Sequence, residues 1–231
     1  MAIGIAKLLG FNLTRNFDAP FFSQNIAEFW RKWHISLTAW FTEYVFTPLT
    51  ISFRDMGKLG LSLAIVINFT IVGIWHGASW NYVVFGFLHG CYFIPLIIKG
   101  SMNKKTKIAR DKLFPSIREV FNVIKTFGLV MLTFVVFRTE TITETFQYYK
   151  ILFSQSLFSM PVLTNNLIIV KAFLFFLLMM LTEWLQREKE HGLALDHFSY
   201  PIVRSSIYCL LIFMIIWLGA SSANQFIYFN F

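Results

Sequence analysis

Long apolar runs separated by short polar segments dominate this chain. Residues 59–98 contain no Asp, Glu, Lys or Arg. Because a helix needs about 20 apolar residues to cross a bilayer, this run predicts two membrane-spanning helices. We place them near 59–76 and 79–98, with Gly77, Ala78 and Ser79 as the bend between them.

Three further apolar runs are long enough to cross a membrane, and they lie near 120–137, 166–185 and 203–219. Lys125, Lys171 and Arg204 lie close to the ends of these runs, where long side chains can reach the membrane interface. The pattern predicts an all-α integral membrane protein with about five transmembrane helices and interfacial amphipathic helices. We expect a single membrane domain over 1–231.

Residues 16–58 differ from the rest, because Trp and Phe are mixed there with more charges than a free span tolerates. Within this interfacial segment, apolar residues of 24–43 share one face at 100° per residue. That face comprises Ile26, Phe29, Trp30, Trp33, Leu37, Trp40 and Phe41. The spacing predicts one amphipathic helix over 24–43, with Ser23 as its N-cap and Pro48 marking its stop. The spanning helices then occupy 59–231.

Charged residues lie on the opposite side of this predicted helix. Glu28, Arg31 and Lys32 fall off the apolar face, so we expect Glu28 and Arg31 to avoid protein and lipid contacts. Glu28 precedes Lys32 by four residues, the spacing of a favourable ion pair. A second amphipathic stretch, 142–153, predicts a surface helix on a later loop.

Composition supports the membrane interpretation. Hydrophobic residues form 56% and charged residues 14% of the 231 residues, whereas about 25% of residues in soluble domains are charged. This balance excludes an ordinary soluble domain and a disordered chain. We therefore expect a multi-pass protein of the inner (cytoplasmic) membrane.

The net charge of +8 is concentrated in one segment. Residues 99–125 hold eight basic and two acidic side chains, so the positive-inside rule places this basic loop in the cytoplasm. The same rule places 138–165 outside and 186–204 inside. Contact with anionic lipid explains the charge better than nucleic-acid binding, and we expect no nucleic-acid partner.

The two cysteines carry no recognisable chemistry. Cys91 and Cys209 lie inside apolar runs without CxxC spacing, and we expect both to be small buried hydrophobic residues. His76 and His89 do not form a common metal-ligand spacing with each other or with Cys91, so no metal site is expected.

Five histidines are the side chains that titrate naturally near neutral pH. His191 and His197 lie in a polar loop and are interpreted as solvated surface residues. His34 lies at the edge of the predicted apolar face, where a hydrogen-bonded structural role is the simpler interpretation. His89 is interpreted as a packing or supporting residue, whereas His76 is the stronger candidate for chemistry.

His76 ends an apolar run, and an ionisable side chain there is costly enough to indicate a functional site. It lies between Gly73 and Gly77, a spacing that lets a helix or ligand approach closely. Two interpretations stay open: packing with a bond to a neighbouring carbonyl, or a neutral imidazole acting as general base in acyl transfer. The chain has no GxSxG, Walker A or GxGxxG motif, so hydrolase, phosphate-loop and dinucleotide sites lack their signatures.

Three stretches resemble one known family, the membrane-bound O-acyltransferases. They read NFDAPFFSQNIAEFWRKWHISLTAWFTEYVFTPL (16–49), GIWHGASWNYVVFGFLHG (73–90) and NQFIYFNF (224–231). Within the family, the chain resembles the branch of alginate O-acetyltransferases and teichoic acid D-alanyl transferases. The likeness covers essentially the whole chain. It also implies a C-terminal half of a longer protein, with activity expected of the intact enzyme.

The resemblance implies roles for particular residues. His76 corresponds to the active-site histidine, the general base, and His34 to a second motif histidine that orients or polarises the reacting groups. The expected substrate-site neighbours are Trp75, Trp80, Asn81 and Trp30. No tightly bound cofactor and no metal are implied.

The same resemblance implies a reaction. A cytoplasmic acyl thioester, either acyl coenzyme A or an acyl carrier protein, would donate an acyl group, with acetyl as the leading expectation. The acceptor would be a hydroxyl of an exported or cell-surface polysaccharide, or of an extracellular acyl-relay protein, with membrane lipid around the protein.

Two functions without acyl transfer remain as alternatives. A transporter or channel-like subunit would use its intramembrane histidines to relay protons or bind a solute, but paired interrupted helices in two halves, typical of transporters, are not seen. A structural scaffold would tolerate substitution of both His34 and His76.

Overall fold

The computed structural model describes residues 2–110, 112–155, 166–187, 189 and 200–218. The chain divides into two compact units, Met1–Phe173 and Leu174–Phe231. The expectation of one membrane domain over 1–231 stays a prediction.

Among the described residues, three helices are long and apolar enough to cross a membrane, and all lie in the first unit. They are α5 (Gly57–Trp75), α6 (Trp80–Ile98) and α7 (Ile117–Arg138). These helices confirm the three spans predicted near 59–76, 79–98 and 120–137.

Helix α7 begins three residues before its predicted start at 120. A capping box fixes this start: the Glu119 carboxylate accepts a hydrogen bond from the Ser116 N–H at 2.7 Å, and Ser116 Oγ accepts one from the Glu119 N–H at 3.4 Å. Two backbone donors that a helix start leaves free are thereby satisfied.

The predicted bend between α5 and α6 is confirmed. Helix α5 ends at Trp75, and Ser79 caps α6 through its Oγ, which accepts from the Asn81 N–H at 3.3 Å. Gly77 lies in this turn with φ 145°, a conformation that glycine adopts without steric cost. The chain therefore reverses within a few residues, directly after His76.

Glycines bring α5 and α6 into direct backbone contact. A Cβ atom on Gly73 would meet the backbone of Tyr82 and Gly86, and one on Gly86 would meet the backbone of Phe69 and Gly73. One turn further along α6, a Cβ on Gly90 would lie 2.7 Å from the Val66 Cα. The pairing order makes the two helices antiparallel, and it confirms the close packing predicted at Gly73.

The core of the first unit lies where the interfacial segment meets the spanning helices. Its buried residues are Ile26, Ala27, Phe29, Trp30, Ile65, Phe69, Phe85, Phe93, Ile97 and Val130. They come from the segment before α5 and from α5, α6 and α7. Phe29 and Trp30 of the interfacial segment therefore pack against protein.

The prediction of one helix over 24–43 is wrong. The segment forms α2 (Ile26–Lys32) and α3 (Ile35–Phe41), separated by Trp33 in extended conformation and His34 in the left-handed region. The N-cap is Asn25, whose side chain accepts from the Glu28 N–H at 2.9 Å, and not Ser23. The apolar residues keep a helical spacing across the break, so their spacing alone did not reveal that the helix is interrupted.

Pro48 does not stop the helix. After α3 the chain continues through a π-helical turn, Thr42–Phe46, into α4 (Thr47–Ser52). In this turn the Thr47 N–H donates to the carbonyl of Thr42, five residues back. Pro48 follows in the first turn of α4, where the missing N–H of proline is tolerated.

Burial along the predicted apolar face is uneven. Ile26, Phe29, Trp30 and Phe41 are buried and Trp33 and Leu37 half-buried, but Trp40 is exposed. The expectation that Glu28 avoids protein contacts is wrong, because its side chain is buried.

Three groups satisfy the Glu28 carboxylate. Lys32 Nζ lies at 2.8 Å, which confirms the predicted ion pair, Thr106 Oγ1 donates at 2.6 Å, and the Gln24 N–H donates at 3.0 Å. Nearby, the Arg31 guanidinium donates to the carbonyls of Met102 and Lys104, each at 3.2 Å. The expectation that Arg31 avoids protein contacts is therefore wrong too. The start of the basic loop is thus tied to α2.

The predicted surface helix over 142–153 is confirmed as α8 (Ile142–Leu152), with Thr141 as its N-cap. It packs on α7, where Tyr149 Oη donates to the Leu132 carbonyl at 2.7 Å. Phe146 and Ile151 are exposed on its surface.

Three other helices complete the described chain. They are α1 (Ala2–Leu8), α9 (Asn166–Leu185) and α10 (Pro201–Leu218). The last two match predicted apolar runs, and Pro201–Trp217 is a shorter apolar helix, so the count of five spans stays a prediction. His191 and His197 lie outside the described residues.

The cysteines only partly follow expectation. Cys91 is half-buried in α6, while Cys209 in α10 is exposed, so the expected burial of Cys209 is wrong. An apolar helix with an outward-facing thiol fits a lipid-facing position, where a small apolar side chain needs no protein contact.

Candidate active site around two histidines

His34 lies at the break between α2 and α3, with φ 47° and ψ 57°. A left-handed conformation costs a residue other than glycine about 1–2 kcal/mol. The preceding strand-like segment holds the break: the Asp18 N–H donates to the Lys32 carbonyl at 2.9 Å, and the Phe17 ring packs edge-on against Trp33 at 5.0 Å.

Asn16 completes the start of α3. Its carbonyl accepts from the Ile35 N–H at 3.0 Å, and its side-chain Oδ1 accepts from the Ser36 N–H at 2.9 Å. His34 occupies the N-cap position, but its side chain makes no cap hydrogen bond. The imidazole therefore does not cap the N-terminus of α3.

His76 lies at the C-terminal end of α5, where its N–H donates to the Gly73 carbonyl at 3.0 Å. Aromatic rings surround its side chain. Its ring centroid lies 4.9 Å from that of Trp75, 5.0 Å from that of Phe137 and 6.2 Å from that of Phe85. The imidazole is half-buried in an apolar, aromatic environment.

Both imidazoles keep a buried nitrogen without a partner. Within the described part of the chain, Nδ1 of His34 and Nδ1 of His76 have no hydrogen bond. Buried polar atoms normally have one, and each exception calls for an explanation. The structural interpretation, in which a neighbouring carbonyl binds His76, does not account for this nitrogen.

His34 lies close enough to His76 to affect it. His76 lies just beyond the Arg54–Trp75 span, and burial lowers the pKa of its imidazole to about 4, with a further contribution from the nearby His34. Near neutral pH His76 is therefore uncharged, the form that accepts a proton. The structure thus brings together the two histidines that were selected from sequence.

The expected substrate-site neighbours take different positions. Trp75 and Trp80 flank the His76 turn and are 50% and 77% exposed. Asn81 is buried, and its side-chain nitrogen donates to the carbonyls of Val136 at 3.1 Å and Thr139 at 2.7 Å. That nitrogen fixes α6 to the end of α7.

Trp30 and His89 form a pair inside the core. The Trp30 indole Nε1 donates to His89 Nδ1 at 3.2 Å, and His89 is fully buried with its Nε2 unpartnered among the described residues. The His89 ring also packs against Phe85 at 4.6 Å. The packing interpretation of His89 is confirmed.

A cavity of about 220 Å³ lies between the interfacial segment and the spanning helices. Phe41, Phe69 and Val72 form part of its mainly apolar wall, and Arg31 and Asn103 lie at its exposed edge. The cavity therefore connects the surface near the basic loop with the interior beside α5.

Sequence reasoning missed Asn68, which also lines this cavity. Its side chain is buried, and its Oδ1 has no hydrogen-bond partner in the described part of the chain. Asn68, Val72 and His76 follow each other at steps of four residues, so they lie along one side of α5 over about 12 Å. Asn68 is the one amide side chain in the apolar run 59–76, and this was the available signal.

No cluster of three His, Cys, Asp or Glu side chains in the described ranges could hold a metal ion. The chemistry that these residues themselves support is proton transfer by a neutral imidazole in a half-buried, aromatic site. Neither His34 nor His76 lines the cavity, whose closest lining residue on α5 is Val72, one helical turn before His76.

Comparison with known proteins identifies the family of the chain. Residues 1–137 match the model of MBOAT, the membrane-bound O-acyltransferase family. The chain is 33% identical to a probable alginate O-acetylase of Azotobacter vinelandii over 67% of the chain and 28% of that protein. It is 34% identical to a teichoic acid D-alanyltransferase of Streptococcus thermophilus, over 59% and 35%.

A third relative matches along the entire chain. The peptidoglycan O-acetyltransferase of Helicobacter pylori is 26% identical over 100% of the chain and 45% of its own length. The chain thus spans between about a quarter and a half of these relatives. His34, His76 and the cavity residues all lie within the matched range 1–137. With its apolar spanning helices, the chain is a multi-pass membrane protein that belongs to the membrane-bound O-acyltransferase family.

Proposed function

We propose that the protein transfers an acyl group from a thioester donor to a hydroxyl of a cell-surface polysaccharide, with His76 as the general base. One observation carries this proposal. Two neighbouring histidines each keep a buried nitrogen without a partner, and a neutral imidazole in a dry site is the group that such a transfer needs.

The reaction balances without any other reagent. His76 takes the proton of the acceptor hydroxyl while the hydroxyl oxygen attacks the thioester carbonyl carbon. The tetrahedral intermediate then collapses, the carbon–sulfur bond breaks, and the departing thiolate takes the proton back from His76. The products are an ester and a free thiol, and His34 orients or polarises the reacting groups.

We propose that the donor enters through the cavity beside α5. An acyl thioester of coenzyme A or of a carrier protein has a narrow arm in which amides join alkyl groups, and the arm ends in phosphate. The apolar wall suits the alkyl groups, and Arg31 at the exposed edge suits the phosphate. Asn68 offers its free Oδ1 to an amide N–H of the arm, and no tightly bound cofactor is required.

The orientation follows from the basic loop. We propose that 99–125 faces the cytoplasm in the inner membrane, where thioester donors are made and inner-leaflet lipid is anionic. The acceptor would then approach His76 from the other side, past the exposed Trp75 and Trp80. An extracellular acyl-relay protein is a second acceptor that this geometry accommodates.

The names of the relatives support the substrate class. Two are an alginate O-acetylase and a peptidoglycan O-acetyltransferase, which favours acetyl as the acyl group and an envelope polysaccharide as the acceptor. The teichoic acid D-alanyltransferase keeps an aminoacyl donor as the second candidate.

The test is to measure ester-linked acyl groups on cell-surface polymers from cells with the full-length gene, without it, and with His76→Ala. Alkali-released acetate and D-alanine are quantified separately. We expect one of them to fall in the deletion strain and to stay low with His76→Ala at equal membrane abundance. Unchanged ester content in the deletion strain would contradict the proposal.

A further inference from the structure

We propose that Asn16 is a positioning residue, which caps α3 in place of His34 and thereby leaves the His34 imidazole available for the reaction. This inference rests on the proposed role of His34 in acyl transfer. It assigns a function to a residue that is 18 positions away in sequence and does not touch the reacting groups.

The starting point is what a helix N-terminus requires. The first N–H groups of a helix have no partner within the helix, and the side chain of the N-cap residue normally accepts from the second or third of them. At α3 the N-cap residue is His34, and its side chain accepts none. A second group must therefore satisfy these donors.

Asn16 supplies two acceptors for these donors. Its carbonyl accepts from the N–H of Ile35, the first residue of α3, and its Oδ1 accepts from the N–H of Ser36, the second residue. The Oδ1 bond of 2.9 Å is the one that an N-cap side chain would otherwise make. Asn16 thus caps α3 although it belongs to another segment of the chain.

Capping by Asn16 leaves the His34 imidazole without a hydrogen bond to α3. His34 Nδ1 is the ring nitrogen nearest to its own backbone, and it would be the natural acceptor for an unsatisfied N–H at the start of α3. With Asn16 in place that nitrogen is buried and unpartnered. The two bonds from Asn16 also fix the backbone directly after His34, which has the left-handed conformation.

A substitution of Asn16 can remove the bond from its side chain to Ser36 and still leave the bond from its backbone carbonyl to Ile35. Asn16→Leu keeps the size of the side chain but loses Oδ1, whereas Asn16→Asp keeps an acceptor oxygen at the same position. Asn12→Ala is the matched control, because Asn12 is exposed in the same segment. Each variant is made in the full-length protein, and its membrane abundance is measured.

We expect Asn16→Leu to lower kcat at least tenfold with KM for the donor changed less than twofold, since a misplaced catalytic group affects turnover. Asn16→Asp should restore kcat to within threefold of wild type, and Asn12→Ala should match wild type. If Asn16→Leu does not insert, Asn16→Ala removes the same oxygen with a smaller side chain. Equal kcat for the Leu and Asp variants would overturn the inference.

A double variant separates positioning from general support of the fold. In the His34→Ala background, Asn16→Leu should cause no further loss of the residual activity, because its effect passes through His34. A full additional tenfold loss would show that Asn16 acts elsewhere. If His34→Ala itself keeps wild-type activity, the proposed function of His34 has failed, whatever the Asn16 variants do.

Discussion

The indole N–H of Trp30 donates a hydrogen bond to Nδ1 of His89 across 3.2 Å in the core. The bond fixes the His89 tautomer with its proton on Nε2, and it joins α2 to the middle of α6. Since α2 leads into the break at His34 and α6 follows the turn after His76, this bond links the two segments that carry the site.

Trp30→Phe should destabilise the protein by about 1–3 kcal/mol, because it leaves the buried His89 acceptor without its donor. Thermal unfolding of the full-length protein in detergent measures this loss. Trp30→Phe combined with His89→Leu removes both partners and should recover part of the stability. A double variant as unstable as the sum of the two single variants would show that the hydrogen bond contributes nothing.

His76→Ala should lower acyl transfer about 10²–10⁴-fold, the usual effect of losing one well-placed general base. His34→Ala should also reduce kcat, through poorer orientation of the reacting groups. Initial rates with the full-length protein and a thioester donor are the measurement. Wild-type rates in a correctly inserted His76→Ala protein would end the general-base assignment.

The low pKa of His76 gives a pH dependence with a defined sign. Burial lowers this pKa to about 4, so the neutral base is present above that value and is lost as the pH falls through it. Transfer should therefore stay level from pH 8 down to about pH 5 and then fall. An acidic limb centred near 6.5, the usual value for histidine, would contradict the buried environment of the ring.

Asn68→Leu should raise KM for the thioester donor severalfold and leave kcat nearly unchanged, because a contact made equally in the ground and transition states affects only binding. Ile67→Leu is a suitable control, since Ile67 is exposed on the adjacent position of α5. A drop in kcat alone would place Asn68 at the reacting groups instead of along the donor arm.

Gly86→Ala should prevent normal accumulation in the membrane, because the new Cβ meets the backbone of Phe69 and Gly73. Neither helix can move away without opening the contact between α5 and α6. Gly128→Ala is the matched control in α7, where a Cβ meets nothing within 4 Å. Equal abundance and equal thermal stability of the two variants would refute the close helix contact.

The spanning helices could be predicted because their signal is local. An uncharged run of sufficient length determines α5 and α6, and Gly77 marks the turn between them. His76 stood out for a similar reason, since a titratable side chain at the end of such a run has few ordinary explanations.

The break at His34 could not be predicted, because distant bonds produce it. The apolar period runs through 24–43 unchanged, yet Asn16 and Asp18 bind the backbone on either side of the break from another segment. The burial of Glu28 has the same origin, since its partner Thr106 lies 78 positions away. Periodicity describes a face of a helix, but not which contacts interrupt it.

The π-helical turn at Thr42–Phe46 has a consequence for the shape of the cavity. Thr38, Thr42 and Phe46 all line it at steps of four residues, although four residues of an α-helix advance about 40° beyond a full turn. A π-helical turn contains more residues, so it offsets this rotation and keeps Phe46 over the cavity. If the same residues formed an ordinary α-helical turn, Phe46 would rotate away from the cavity wall, and the cavity would widen at that point.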